Sequence, residues 1–305
     1  MASETQFQEP AGTIVERGEP DIYVTRTLET AANVYPGREC GQGTDEQDIC
    51  VNSGILLPIG YASYELTSPT FRKDETSTIY TVLDKVVITK GNGHVYLASM
   101  PASTIIEQGD LVVNWSAGQV YPACIINGKI CVKIPFTGSD TSTRILTGCT
   151  LVATMVVGLP QIYCTTFVTS GIIDVGIGDG SQTGFDVIGL ANQIPIAAAG
   201  FATHTLITTT QANLTGGSLT CTASTNYMYG TGSGSTYFTV IPREPGYIVS
   251  TATKVDYTPS SVGGSYGFIL LPVSHLKMHI IGKCVKAKDN SASATAANIL
   301  IQRVF

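Results

Sequence analysis

The chain is 305 residues long, with 43% hydrophobic and only 13% charged side chains, about half the usual charged share. Its formal net charge of −6 and the absence of any Lys/Arg run exclude the basic stripe that nucleic-acid phosphates require. The length exceeds one small barrel and suits two domains; Thr, Ser, Gly and Asn supply the polarity, as in proteins that pack against copies of themselves or in extracellular and virion proteins.

Residues 1–30 read as an extended N-terminal arm. Thr13, Ile14 and Val15, and then Ile22, Tyr23 and Val24, form two short apolar runs that could each add a strand to something else. An arm of this kind has too little apolar surface to fold alone; it either lies across a neighbouring subunit or frays. Met1 to Pro10 is polar with two Glu, unlike a signal peptide. The most apolar windows, Leu151 to Leu159 and Val187 to Ala202, are too short or too interrupted to span a bilayer. The expectation is no membrane partner and no secretory route.

Residues 31–160 read as a β-barrel domain. Short runs rich in Val, Ile and Tyr are bounded by Gly, Pro or Asn, the pattern of consecutive strands. Gly91-Asn92-Gly93 predicts a hairpin between Val86-Val87-Ile88 and Val95-Tyr96-Leu97. Ala117-Gly118 predicts another between Val112-Val113 and Val120-Tyr121. Helix signals are almost absent; the best candidate, Ser99 to Gln108, is interrupted by Pro101.

The cysteines show no Cys-x-x-Cys, which disfavours a zinc ribbon or a redox motif. In Cys124-Ile-Ile-Asn127-Gly128-Lys-Ile-Cys131 the Asn-Gly turn sets Cys124 opposite Cys131, at a cross-strand Cα separation of about 4.5 to 5.5 Å that a disulfide can bridge. Two reduced, half-buried thiols fit the same spacing in a protein assembled in the cytosol. Cys40 and Cys50 bracket a polar loop and could close it in the same way.

Residues 161–305 read as a β-sandwich domain, with strands at Ile172 to Val175, Thr236 to Ile241, Tyr247 to Tyr257, Gly267 to Val273 and Lys277 to Ile281. In the last run Ile299, Ile301, Arg303 and Phe305 alternate with Leu300, Gln302 and Val304. Ala191 to Thr203 and Asn290 to Asn298 are the windows where a short helix would fit.

No chemical site emerges. Gly176-Ile-Gly178-Asp-Gly180 has neither dinucleotide-loop nor Walker spacing, and Asp174, Asp179 and Asp186 lack the alternating oxygen ligands of a calcium loop. His275 and His279 have ligand spacing on a helix, but the flanking residues read as strand, which would part them by about 13 Å. No G-x-S-x-G elbow is present. The chain is therefore not expected to be an enzyme, with no catalytic residue, no cofactor and no metal. Asn114-Trp-Ser116 and Asn213-Leu-Thr215 match the glycosylation pattern. Trp115, the single Trp, is a candidate interface or glycan-stacking anchor, and strand-face packing is its commoner use.

Tyr35-Pro-Gly-Arg38, the loop Gly43 to Ile49, Pro58-Ile-Gly-Tyr-Ala, Gly93-His-Val-Tyr-Leu, Gly109-Asp110-Leu-Val-Val and Gly118-Gln-Val-Tyr-Pro122 follow one another in order. This succession resembles capsid decoration (cement) proteins of tailed bacterial and archaeal viruses, over roughly Ala31 to Val157. The second half is similar to β-sandwich segments appended to virion structural proteins. Proteins of the decoration family are usually much shorter, and the Cys124–Cys131 hairpin looks like an insertion. The resemblance implies an all-β virion structural protein at the capsid surface, assembled in the host cytoplasm and often a homotrimer. Its partner would be the major capsid protein. The alternative is a glycan- or receptor-binding spike, turret or tail protein, with Trp115 and the Tyr227/Tyr229 pair as stacking platforms.

Overall fold

The computed structural model describes residues 14–16, 22–29, 34–52, 54–63, 80–137, 145–158, 160–166, 171–178, 194–196, 200–203, 218–221, 227–230, 246–248, 253–260, 266–275 and 277–304. The chain divides into two compact units, and the first is discontinuous: Met1–Ala123 with Leu276–Phe305, and Cys124–His275. Neither boundary coincides with the expected one near residue 160. The physical reason is that the final strand pairs inside the first unit.

The first unit begins with β1 (Ile14–Glu16), β2 (Ile22–Leu28), β3 (Glu39–Gln42), β4 (Asp48–Val51), β5 (Pro58–Ala62), β6 (Lys85–Lys90), β7 (Val95–Met100), β8 (Ile105–Ile106), β9 (Leu111–Asn114) and the first half of β10 (Val120–Ile126), whose residues from Cys124 on belong to the second unit. The second unit holds β11 (Lys129–Thr137), β12 (Ile145–Leu151), β13 (Val156–Gly158), β14 (Gln161–Thr166), β15 (Gly171–Gly178), β16 (Ile194–Ile196), β17 (Gly200–Thr203), β18 (Ser218–Cys221), β19 (Tyr227–Gly230), β20 (Gly246–Ile248), β21 (Thr253–Ser260) and β22 (Tyr266–Ser274). The chain then returns as β23 (Ile280–Cys284), β24 (Lys288–Asp289) and β25 (Ala297–Arg303). The fold is all-β. Among the described residues the helical content is one 3-10 turn, Ser116–Gly118, and no helix is long and apolar enough to cross a membrane.

Strands β2, β4, β3, β5 and β6 close into a barrel in that order. The β2–β4 pair is parallel, with Leu28 beside Ile49, and β6 closes antiparallel onto β2. Leu28, Val34, Cys40, Ile49, Ala62, Val86 and Ile88 fill the interior, the inward half of each strand's two-residue alternation. Two expectations about residues 1–30 change here. Ile22, Tyr23 and Val24 lie in a wall of the barrel rather than in an arm, because β2 supplies hydrogen bonds to two neighbours. Ile14 and Val15 lie in β1, which pairs with β7 of its own chain, Ile14 opposite Tyr96. Thr13 lies outside the described residues.

The second layer of this unit is the sheet β1-β7-β25-β23-β9-β10. Tyr96, Ala98, Met100, Ile106, Val112, Val120, Ile281, Cys284, Ile299 and Ile301 make its core, joined by Tyr61 from the barrel. The Ala117-Gly118 hairpin is present, with Tyr121 opposite Val113. The Gly91-Asn92-Gly93 hairpin is not: β6 pairs with β2 and β5, whereas β7 pairs with β1 and β25. The glycines turn the chain out of the barrel into the sheet. There the Gly93 N–H donates to the Arg303 carbonyl at 2.8 Å and the Arg303 N–H to that of His94 at 2.7 Å.

In the second unit β22 pairs with β11, from Cys131 opposite Pro272 to Thr137 opposite Tyr266. On its other side lie β14 and β13. A separate sheet runs β12-β21-β15-β16. Phe136 of the first sheet meets Tyr257 of the second edge-on at 6.4 Å, and this unit spans 124–275 rather than 161–305. Gly176 and Gly178 lie inside β15, not in a loop. The expected strand Thr236 to Ile241, most of the helix-compatible window Ala191 to Thr203, and Asp179 and Asp186 lie outside the described residues. Residues 290–296 form turns and bends rather than a helix.

Candidate functional site

The first feature of chemical interest is buried. Ile299, Ile301 and Arg303 all face inward on β25, so the strand's alternation carries a guanidinium into an apolar layer. Bare burial of that charge would cost several kcal/mol. Glu39 of β3 meets it: Arg303 Nη1 donates to Glu39 Oε1 at 2.7 Å, with the side chains 4% and 0% exposed. The Tyr96 hydroxyl donates to the same oxygen at 2.6 Å, and the Tyr96 ring stacks on Tyr61 at 3.8 Å and 11°. Burial first, and then the Glu39 charge, push the Tyr96 phenol well up. Burial alone would lower Arg303, but the negative charge of Glu39 and the nearby tyrosines outweigh it and raise the guanidinium instead.

The turn between β9 and β10 is fastened to the same strand. Gly118 has a φ of 68°, and a Cβ there would lie 2.6 Å from the Glu39 carbonyl oxygen, so only glycine fits. Arg38 Nη1 donates to the Ala117 carbonyl at 3.0 Å. Nearby, Asn114 is wholly buried. Its Nδ2 donates to Asn52 Oδ1 at 3.3 Å and its Oδ1 accepts from the His279 N–H at 2.7 Å. The Asn114 sequon is therefore spent on internal hydrogen bonds. Trp115 is fully shielded from solvent and packs against Tyr121 at 4.9 Å. That corrects its assignment as an interface or glycan anchor: the indole fills its own core and has no outward face.

The cysteines divide by register. Cys40, Cys50, Cys124, Cys131, Cys149 and Cys284 are all thiols. Cys40 lies opposite Val51, and Cys50 opposite Gly41. The two are therefore one residue out of step and point to opposite faces of the sheet, which rules out the expected Cys40–Cys50 bridge. Cys40 is in the barrel core, where burial drives its thiol far up, while the Cys50 thiol reaches Glu29 Oε2 at 3.6 Å. Cys124 and Cys131 do face one another, and their thiols are hydrogen-bonded. Among the described residues no cluster of His, Cys, Asp or Glu could hold a metal ion.

The second feature is an exposed turn. The registers place the N-terminal end of β6 beside the C-terminal end of β2, whereas the N-terminal end of β5 lies beside the C-terminal end of β3, at the opposite end of the antiparallel β5–β6 pair. Leu57 immediately precedes β5, and Val82 and Leu83 precede β6; all three are exposed, at 49%, 44% and 76%. Leu83 has a φ of 70°, a left-handed conformation costing an ordinary residue about 1–2 kcal/mol. The turn that imposes it is tied down on every side. The Leu83 N–H donates to the Leu28 carbonyl at 2.8 Å and the Asp84 N–H to that of Thr81 at 2.9 Å. The Asp84 carboxylate accepts from the Thr81 N–H at 2.7 Å and from its hydroxyl at 3.0 Å. Sequence patterning missed this turn, because Thr81-Val-Leu-Asp84 reads as part of a strand; the signal available was Asp three residues after Thr, a turn-capping pair.

No family model matches the chain, and no curated protein matches it. Among solved structures, a chain from the structure of infectious bursal disease virus, Gt strain, covers 97% of this chain and 80% of its own length, at 9% identity and a TM-score of 0.18. A similarity of that size carries no argument about fold or function.

Proposed function

We propose that this chain is a virion structural protein that works by contact area: a capsid decoration protein that binds the outside of the major capsid lattice and its own copies. The observation that carries the reading is Leu83. A bulky aliphatic side chain is held in a disfavoured backbone conformation at the most exposed point of a turn that also presents Val82. Strain that the surrounding turn maintains for no gain in core packing points to use outside the chain. The sparse charge and the all-β architecture suit broad contacts of the standard size, about 800 Å² per partner. The resemblance of residues 31–157 to cement proteins supplies the class of partner. The glycan-binding alternative loses its strongest element with Trp115 buried.

The test is co-sedimentation of the purified chain with undecorated capsids of the virus that encodes it, alongside its size in solution by light scattering. Saturable binding that Leu83→Asp weakens, together with a trimeric mass, is the expected result. Binding to tails but not capsids, or a monomer with no affinity for either, would overturn the reading.

A further inference from the structure

We propose that Cys124 and Cys131 form a reversible redox staple across the β10–β11 hairpin, closing to an intrachain disulfide when the chain meets a small-molecule disulfide. This inference is independent of the virion reading. The hairpin has a two-residue connection, and Asn127 and Gly128 have φ of 50° and 76°, the left-handed pair of a type I′ turn. Such a turn fixes register, so Ile126 meets Lys129 and, two residues further, Cys124 meets Cys131. Directly opposed residues have Cα atoms about 4.5 to 5.5 Å apart, inside the range that a disulfide spans without backbone movement.

The two side chains are also held in place. Both lie on the face where Cys131 packs with Phe268 and Leu270, and where Cys124, Ile126 and Tyr266 border that cluster. Their thiols already share a hydrogen bond. Access is unequal: Cys131 is buried and Cys124 half-buried. That asymmetry assigns the roles. The Cys124 thiolate attacks a sulfur of the small disulfide, forming a mixed disulfide and expelling one small thiolate. Cys131 then attacks Cys124 Sγ, the protein disulfide forms, and the second small thiolate leaves. Two protein thiols are oxidised, one small disulfide is reduced to two thiols, and the two protein protons pass to the departing thiolates. The hydrogen bond with Cys124, and then burial, hold the Cys131 thiol well above the ordinary range. Consumption of Cys124 removes the first of these, so the second step follows from the first.

The chemistry of the segment makes the test simple. Lys129 separates the two cysteines, so trypsin places Cys124 in peptide 91–129 and Cys131 in peptide 130–133. The full-length folded chain is incubated with glutathione disulfide, quenched with N-ethylmaleimide, unfolded and digested. The expected result is loss of both alkylated peptides and appearance of the pair joined by a disulfide, reversed by dithiothreitol. Cys131→Ser should stop at a glutathione adduct on Cys124. A wild-type chain that ends with glutathione on Cys124 and alkylated Cys131, or with Cys124 joined to another cysteine, overturns the proposal. The wild-type map decides the matter by itself if Cys131→Ser does not fold.

Discussion

Arg303 donates to Glu39 at 2.7 Å across 264 positions of sequence, and neither side chain has appreciable contact with water. The pair joins the C-terminal strand to β3 of the barrel within one unit, with Tyr96 as a second donor to the same carboxylate oxygen.

Removing one partner should be far worse than removing all. Arg303→Met leaves the Glu39 charge buried with Tyr96 alone and should cost about 3–5 kcal/mol, read as a lower urea midpoint at unchanged slope. Glu39→Met combined with Arg303→Leu and Tyr96→Phe removes every member of the polar group and should recover most of that loss. Equal losses in the single and triple variants would show that packing, not charge, dominates the site.

Stability should fall at high pH through the same residues. Burial and the Glu39 charge hold the Tyr96 proton in the folded chain, whereas unfolded tyrosine releases it near pH ~10. Below that point both states keep the proton and the contribution is complete. Above it only the unfolded chain ionises, and stability drops until the pH reaches the raised folded value, by about 1.4 kcal/mol per pH unit for each such tyrosine. Tyr61, raised chiefly by burial, acts in the same direction. Urea midpoints measured from about pH 9 to about pH 11 should fall, and less steeply in Tyr96→Phe; identical slopes in the two proteins would refute the assignment.

Leu83 should show opposed effects on stability and binding. Leu83→Gly relieves the left-handed backbone and removes an exposed aliphatic group, so the folded chain should gain about 0.5–1 kcal/mol. Affinity for the partner should fall in the same variant. A thermal melt and a binding isotherm on one preparation check both; a Leu83→Gly chain that is less stable would mean that the side chain serves its own fold.

Much of the strand inventory was legible because side chains alternate with a period of two, as Ile299, Ile301 and Arg303 illustrate. That same alternation placed an arginine among isoleucines, which was the visible sign that a buried carboxylate must exist. Its identity was hidden, since nothing local links residue 303 to residue 39. The hairpin at Gly91-Asn92-Gly93 failed for the same reason: glycines permit a reversal or a crossing, and the competition was decided by β25 pairing with β7. Register parity decided the cysteines. Asn127-Gly128 fixes one pair across a two-residue turn, whereas the longer loop after Cys40 left room for a one-residue offset that turned Cys50 to the other face. The strained turn at Leu83 was the least readable feature, because a left-handed leucine has no compositional mark.

The place of β25 also dictates an order of events during synthesis. This strand lies between β7 and β23, paired with both, so the layer it completes has a gap until the ribosome has made residue 303. Every strand of the Cys124–His275 unit is encoded before that point. The edge of β7 that faces β25 therefore stays unpaired throughout synthesis of the later-encoded unit, and an open strand edge of that kind invites mispairing.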